Sequence, residues 1–198
     1  MIRILIVDDH VMFREGLKQI LAKHSDMHVV DEAGNGQEVL AKVLRQKIDV
    51  VLLDITLPGR NGPELLSDIK KMKPDLAVLV LSMHPEDQYA IRMMKAGALG
   101  YMTKESAPEE LIAAIRKVST GRRYISSKLA EEMAVALDAN TPKLPHLALS
   151  NREFHVMRML ASGKGIKEIA EELMISEKTV TTYRARIQIG RASCRERV

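Results

Sequence analysis

From Ile2 onward, short blocks of consecutive apolar residues alternate with longer stretches whose apolar positions recur every three or four residues. The pairs run IRILIV then FREGLKQILAKH, MHVVDEA then GQEVLAKVLRQ, DVVLLD then GPELLSDIKKM, LAVLVLS then EDQYAIRMMKAG, and ALGYM then PEELIAAIRKVSTG. A short aliphatic and β-branched block reads as a strand, and a 3.6-residue period reads as an amphipathic helix. Five strands each followed by a helix require right-handed crossovers, and hence a parallel sheet covered on both faces. Strands as uniformly apolar as VVLL belong in the middle of such a sheet. Residues 1–120 are therefore expected to form a doubly wound, five-stranded parallel α/β domain.

The polar residues that interrupt this pattern fall at strand ends. Asp8 and Asp9 follow the first strand, Asp54 closes the third, Ser82 closes the fourth and Lys104 comes just after the fifth. In an open α/β sheet the functional crevice lies beyond the carboxyl ends of the strands, so these five converge on one edge. Taken singly, each has an ordinary reading: a solvated turn for Asp8 and Asp9, a surface amine for Lys104. Together they supply complementary chemistry from independent strands. Carboxylates crowded within a few ångströms raise one another's pKa unless a cation lies between them, and a hard divalent ion, most simply Mg²⁺, resolves that conflict. An Asp54 carboxylate held ionised by such an ion and by Lys104 can act as a nucleophile toward a phosphoryl group. The remaining kit of a small hydroxyl and an ammonium suits a transfer that needs positioning and charge neutralisation.

After residue 120 the pattern changes. GRRYISSKLAEEMAVALDANTPKLPHLALS holds one expected helix, SSKLAEEMAVAL, with Ser126 or Ser127 as its cap, and then a stretch with two prolines that reads as a tether. From Ser150 the helical period returns. Ser150 and Glu153 form a capping box for NREFHVMRMLASG; KEIAEELM follows, and Ser176 caps EKTVTTYRARIQ after a break at Ile175. A scaffold helix, a tight turn and a second helix rich in Thr, Lys and Arg read as a helix-turn-helix. On the last helix Val180, Tyr183 and Ile187 share one face. Lys178, Thr181, Thr182 and Ala185 share the other, with Arg186 at its margin. Threonine hydroxyl and methyl groups and an alanine methyl suit base edges, and Lys178, Arg184 and Arg186 suit phosphates.

Charge supports a division into two parts. Residues 1–120 carry 16 basic and 17 acidic groups, and residues 121–198 carry 14 and 9, so the basic excess lies behind, where a polyanion would bind. The single cysteine, Cys194, excludes an internal disulfide or a thiolate metal cluster. The histidines at 10, 24, 28, 84, 146 and 155 show no metal-ligand spacing and read as surface residues. No apolar run approaches the roughly 20 residues of a membrane span, and the opening MIRILIVDDH reaches acids too early for a secretory leader, so the expected location is cytoplasmic with no membrane partner.

Residues 1–120 resemble the receiver domain of two-component response regulators, a flavodoxin-like fold. The resemblance lies in the Asp8–Asp9 pair, Asp54 within LLDITLPG, Ser82 within VLVLS and Lys104 within GYMTK, in order and at the right strand ends. It implies phosphorylation of Asp54 by a sensor histidine kinase, with Mg²⁺ bound by Asp8, Asp9, Asp54 and the Thr56 carbonyl. Ser82 and Lys104 would contact the phosphoryl oxygens, and Tyr101 would be the aromatic that moves with Ser82. No enzyme activity is implied beyond Mg²⁺-dependent self-phosphorylation and self-dephosphorylation. Two departures are Glu105, where many receivers have a cis proline, and Met83, where a small residue is common.

The stretch LSNREFHVMRMLASGKGIKEIAEELMISEKTVTTYRARI resembles the LuxR-type helix-turn-helix of NarL/FixJ response regulators. Together the two resemblances imply a phosphorylation-controlled transcription regulator that binds double-stranded DNA, as a homodimer on paired half-sites. The expected organisation is a receiver at 1–120, a linker at 121–149 and a helix-turn-helix domain at 150–188. That last domain is expected to be incomplete, because the family continues into a fourth helix where this chain reads QIGRASCRERV, so 189–198 reads as foreign sequence. Two alternatives stay open: a receiver that signals through protein contacts alone, and a phosphatase using Asp54 as nucleophile, although Thr56 stands where that chemistry wants a second acid.

Overall fold

The computed structural model describes residues 1–57, 60–83, 86–127, 129–131 and 149–195. The later part of the helix expected from Ser126, the proline-containing tether, His84, His146 and residues 196–198 lie outside the described residues. The chain divides into two units, Met1–Ala134 and Val135–Val198.

In the first unit the apolar blocks form β1 (Ile2–Val7), β2 (Met27–Ala33), β3 (Val50–Asp54), β6 (Ala77–Ser82) and β7 (Gly100–Thr103). All pairings among them are parallel, in the order β2-β1-β3-β6-β7. Helices α1 (Val11–Leu21), α2 (Gly36–Arg45), α3 (Gly62–Met72), α4 (Glu86–Lys95) and α5 (Pro108–Ser119) alternate with the strands. The gradient of polarity across the sheet follows position. Every residue of β3 and β6 is buried, whereas the edge strand β2, carrying His28, Asp31 and Glu32, is buried only at its ends. One core cluster joins Ile4, Ile6, Leu52 and Leu79 to Leu17 and Leu21 of α1 and Ile112 and Ile115 of α5. Asn35 starts α2, its side chain accepting from the N–H groups of Gln37 and Glu38.

A feature with no signature in the periodicity is a two-residue antiparallel pair, β4 (Thr56–Leu57) with β5 (Arg60–Asn61), directly after Asp54. It brings α3 back so closely that a Cβ on Gly62 would lie 2.6 Å from the Ile55 Cα, which fixes glycine there and sets the path of the loop leaving the third strand. Past α5 the chain returns to the sheet edge, Tyr124 N–H donating to the Leu99 carbonyl at 2.8 Å. Of the two candidate caps Ser126 is the one used: its Oγ accepts from Leu129 N–H at 3.1 Å and its carbonyl from Ala130 N–H at 2.9 Å.

The second unit contains α6 (Asn151–Ala161), α7 (Ile166–Leu173) and α8 (Glu177–Arg195). Ser150 and Glu153 make the expected reciprocal capping box, and Ser176 Oγ accepts from Thr179 N–H at 3.1 Å at the start of α8. The core joins Val156 and Met159 of α6, Ile169 and Ala170 of α7, and Val180 and Ile187 of α8, with Leu160 and Tyr183 partly buried against it. The packing face assigned to α8 from its period is thus the face that packs. The reading of all six histidines as surface residues is corrected at His155. It is half-buried on α6, and burial pulls its pKa below the ordinary value against the Glu172 charge.

Between α7 and α8 the turn is made by Met174 at φ 53°, in the left-handed region, with its side chain 77% exposed. A side chain there carries a backbone penalty of about 1–2 kcal/mol, of which glycine's greater unfolded-state entropy gives back roughly half. Met174→Gly is therefore expected to stabilise the second unit by about 0.5 kcal/mol in urea unfolding. An unchanged or lowered midpoint would show that the turn is not strained.

Candidate functional site

The order β2-β1-β3 means that the chain reverses direction across the sheet between β1 and β3, and a crevice opens beyond their carboxyl ends. Val7 lies opposite Leu53, so the next residues, Asp8 and Asp54, emerge side by side. Both are 2% exposed. Lys104 enters from the end of β7, where its N–H donates to the Ser82 carbonyl at 2.8 Å and Ser106 N–H closes the turn onto Thr103 at 3.1 Å. Glu105 occupies this turn with no cis peptide among the described residues. The Lys104 ammonium then lies 2.6 Å from Asp8 Oδ2 and 2.6 Å from Asp54 Oδ2.

The other expected residues fall around this triad. The second oxygen of Asp54, Oδ1, accepts from Thr56 N–H at 2.9 Å. Ser82 is fully buried and lies beyond Leu81, the residue opposite Asp54. Tyr101, on β7, is also fully buried, opposite Val80 of β6. Asp9 is more open, with a third of its side chain exposed, and Met83 is 63% exposed.

Three residues at the start of α1 belong to the site and escaped sequence reasoning. His10 N–H donates to Asp8 Oδ1 at 2.8 Å, while its ring Nδ1 lies 3.2 Å from that oxygen and 2.9 Å from Asp9 Oδ1. Arg14, 13% exposed, donates to the Asp8 carbonyl at 2.7 Å and pairs with Glu32 at 3.1 Å. The Lys104 ammonium sits 4.6 Å from the centre of the Phe13 ring, a cation–π contact on its apolar side. The available signal was the tight spacing between Asp9 and the first turn of α1, which sets residues 10, 13 and 14 over the same sheet edge.

Burial pushes the Asp54 carboxyl above its ordinary pKa; the Lys104 hydrogen bond and charge and the Thr56 N–H oppose this without cancelling it, and the Asp8 charge adds to it. Burial works against the Lys104 ammonium, but its bonds to Asp54 and Asp8 prevail and hold its pKa above the usual value. Two carboxylates share one ammonium with Asp9 close by, which leaves an excess of negative charge, and ligand atoms of Asp8, Asp9, His10 and Asp54 all lie within 4.8 Å of one another. A hard, mostly oxygen donor set with that charge fits a divalent cation.

In the second unit all six residues assigned to contact DNA are exposed: Lys178, Thr181, Thr182, Arg184, Ala185 and Arg186. The threonines differ from expectation in one respect. The hydroxyl of Thr181 donates to the Glu177 carbonyl and that of Thr182 to the Lys178 carbonyl, both at 2.9 Å, so outward they present a methyl and an acceptor oxygen rather than a donor. Arg186, itself exposed, is 4.0 Å from the mostly buried Glu153, a loose pair.

A doubly wound sheet with a buried acid–lysine crevice, followed by a helix-turn-helix unit, defines a two-component response regulator. The chain belongs to that family: the response regulator receiver domain matches residues 4–116, and the luxR family of bacterial regulatory proteins matches residues 147–189. It is 38% identical over 188 residues to the response regulator UvrY of Escherichia coli, covering 94% of this chain and 86% of that one. It is 39% identical over 188 residues to the response regulator GacA of Pseudomonas aeruginosa, covering 94% and 88%. The same fold is seen in RcsB of Salmonella enterica serovar Typhimurium, solved bound to the promoter rprA with phosphomimetic BeF₃⁻ (TM-score 0.71, 23% identity, 96% of this chain and 92% of that one). The protein is thus a phosphorylation-controlled DNA-binding transcription regulator, and the phosphatase alternative is set aside.

Proposed function

We propose that Asp54 is the phosphoacceptor, that the phosphoryl donor in the cell is a phosphohistidine of a sensor kinase, and that the outer face of α8 contacts duplex DNA in the cytoplasm. The observation that carries the reading is the buried Asp54 carboxylate held between the Lys104 ammonium at 2.6 Å and the Thr56 N–H at 2.9 Å at an open strand end. In the transfer an Asp54 oxygen bonds to phosphorus as the phosphorus–nitrogen bond breaks, and the departing imidazole keeps the electron pair and takes a proton. The product is an acyl phosphate. Lys104 meets the negative charge on the phosphoryl oxygens, and Ser82, at the end of the neighbouring strand, offers them a hydroxyl. Mg²⁺ held by Asp8, Asp9, Asp54 and the Thr56 carbonyl would supply charge neutralisation. Tyr101 is the side chain that responds to the move of Ser82, and a homodimer on paired half-sites is the DNA-bound form. The domain reading is a receiver at 1–120, a linker at 121–149 and a DNA-binding domain at 150–188.

Acetyl phosphate with Mg²⁺ is expected to add one phosphoryl group, about 80 Da by intact mass. The adduct should vanish with chelator and in Asp54→Asn. An adduct retained by Asp54→Asn would sink this assignment. The DNA face is checked by salt: losing Lys178 or Arg184 should weaken binding to operator and random duplex alike and lower the slope of log K against log salt by about one per phosphate contact.

A further inference from the structure

We propose that His10 is itself a ligand of the divalent ion in the acid crevice, and that it shifts the site's preference from Mg²⁺ toward first-row transition ions such as Mn²⁺ and Co²⁺. The proposal rests on the reading of that crevice as a cation site. It begins from where the imidazole stands. His10 precedes α1, and its own N–H donates to Asp8 Oδ1 at 2.8 Å, which pins the main chain against the acids. The ring then turns inward over them although 64% of the side chain is exposed to solvent.

The distances are those of neighbouring corners of one coordination sphere. Two ligands at right angles about an ion at about 2.1 Å are about 3.0 Å apart, and opposite ligands about 4.2 Å. Nδ1 lies 2.9 Å from Asp9 Oδ1 and 3.2 Å from Asp8 Oδ1, and the whole set of ligand atoms, Asp54 included, lies within 4.8 Å. Shifts of a few tenths of an ångström would bring all four onto a single ion. Three carboxylates alone make an oxygen site suited to hard Mg²⁺; adding an imidazole nitrogen favours divalent ions in the order Mn²⁺ below Co²⁺ below Ni²⁺. The other reading of the same distances is a hydrogen bond from Nδ1 that merely orients the acids, and it predicts equal effects on every ion.

The chain holds no tryptophan, so binding heat is a better probe of the ion than intrinsic fluorescence. Titration of the full-length protein with Mg²⁺, Mn²⁺ and Co²⁺ is expected to show Mn²⁺ and Co²⁺ affinities falling about tenfold or more in His10→Ala, and Mg²⁺ affinity changing by less than about threefold. Electron spin echo spectroscopy of the Mn²⁺-loaded protein should show coupling to a directly bound nitrogen in the wild type and none in His10→Ala. Equal losses for all three ions, no loss, or a nitrogen signal that survives the substitution overturns the assignment of His10. Absence of heat with every ion in the wild type overturns the cation-site reading itself, and the proposal with it.

Discussion

Lys104→Met is expected to destabilise the first unit by about 3–5 kcal/mol, far more than any surface ion pair in the molecule. The reason is the number of charges that share one ammonium. Lys104 is 5% exposed and lies 2.6 Å from carboxylate oxygens of both Asp8 and Asp54, each 2% exposed. Taking the ammonium away leaves two desolvated carboxylates side by side, with the His10 and Thr56 N–H groups as remaining donors to them. Methionine keeps an unbranched apolar side chain of similar length, so the loss reads mainly the charge, including its contact with the Phe13 ring. Urea unfolding in chelator would measure it. Asp8→Asn in the same background should recover a large part, because one buried anion then remains instead of two. Arg116→Ala is the matched control: its pair with Asp26 is about half exposed at both ends, where solvent screening leaves little net stabilisation. The same Lys104→Met protein should accept a phosphoryl group from acetyl phosphate about 10²–10³ times more slowly, the usual cost of one donor at developing charge. A Lys104→Met protein as stable as the Arg116→Ala protein would mean that the crevice is not held by this ion pair.

What could be read from the sequence follows from how each feature is encoded. The sheet was legible because apolar blocks such as VVLL and AVLVL can be satisfied only with both faces covered, and β3 and β6 are buried throughout. Asp8, Asp54, Ser82 and Lys104 were legible because strand ends in a parallel sheet share one edge whatever the loops do. The residues that escaped are placed by three-dimensional details with no period. His10, Phe13 and Arg14 reach the crevice because α1 starts at Val11, directly over it; an exposed histidine beside two aspartates gives no local sign of which way its ring turns. The β4–β5 pair is two residues long on each side, below the length at which alternation can be seen. Tyr124 falls in a stretch whose composition reads as linker, yet it bonds back to Leu99, a contact set by distance in space. The threonine hydroxyls of α8 were assigned to base edges, and the carbonyls one helical turn back take their protons.

Val180→Asp and Thr181→Asp, one residue apart on α8, are expected to abolish DNA binding for opposite reasons. Val180 is fully buried among Val156, Met159, Ile169 and Ile187. An aspartate there forfeits about 1.5–3 kcal/mol of apolar burial and adds the cost of an unpaired buried carboxylate, several kcal/mol more. Small domains have net stabilities of about 5 kcal/mol, so the second unit should lose its cooperative unfolding transition. Thr181 is exposed and outside the core, so Thr181→Asp should keep the transition while its charge repels the phosphates of the duplex. Both proteins should still take up one phosphoryl group at the first unit, whose crevice draws its residues from β1, β3, β6 and β7. Circular dichroism melts, intact mass after acetyl phosphate treatment and a duplex-binding titration separate the cases. A cooperative second transition in Val180→Asp would place Val180 outside the core, and specific DNA binding by Thr181→Asp would remove the outer face of α8 from the interface.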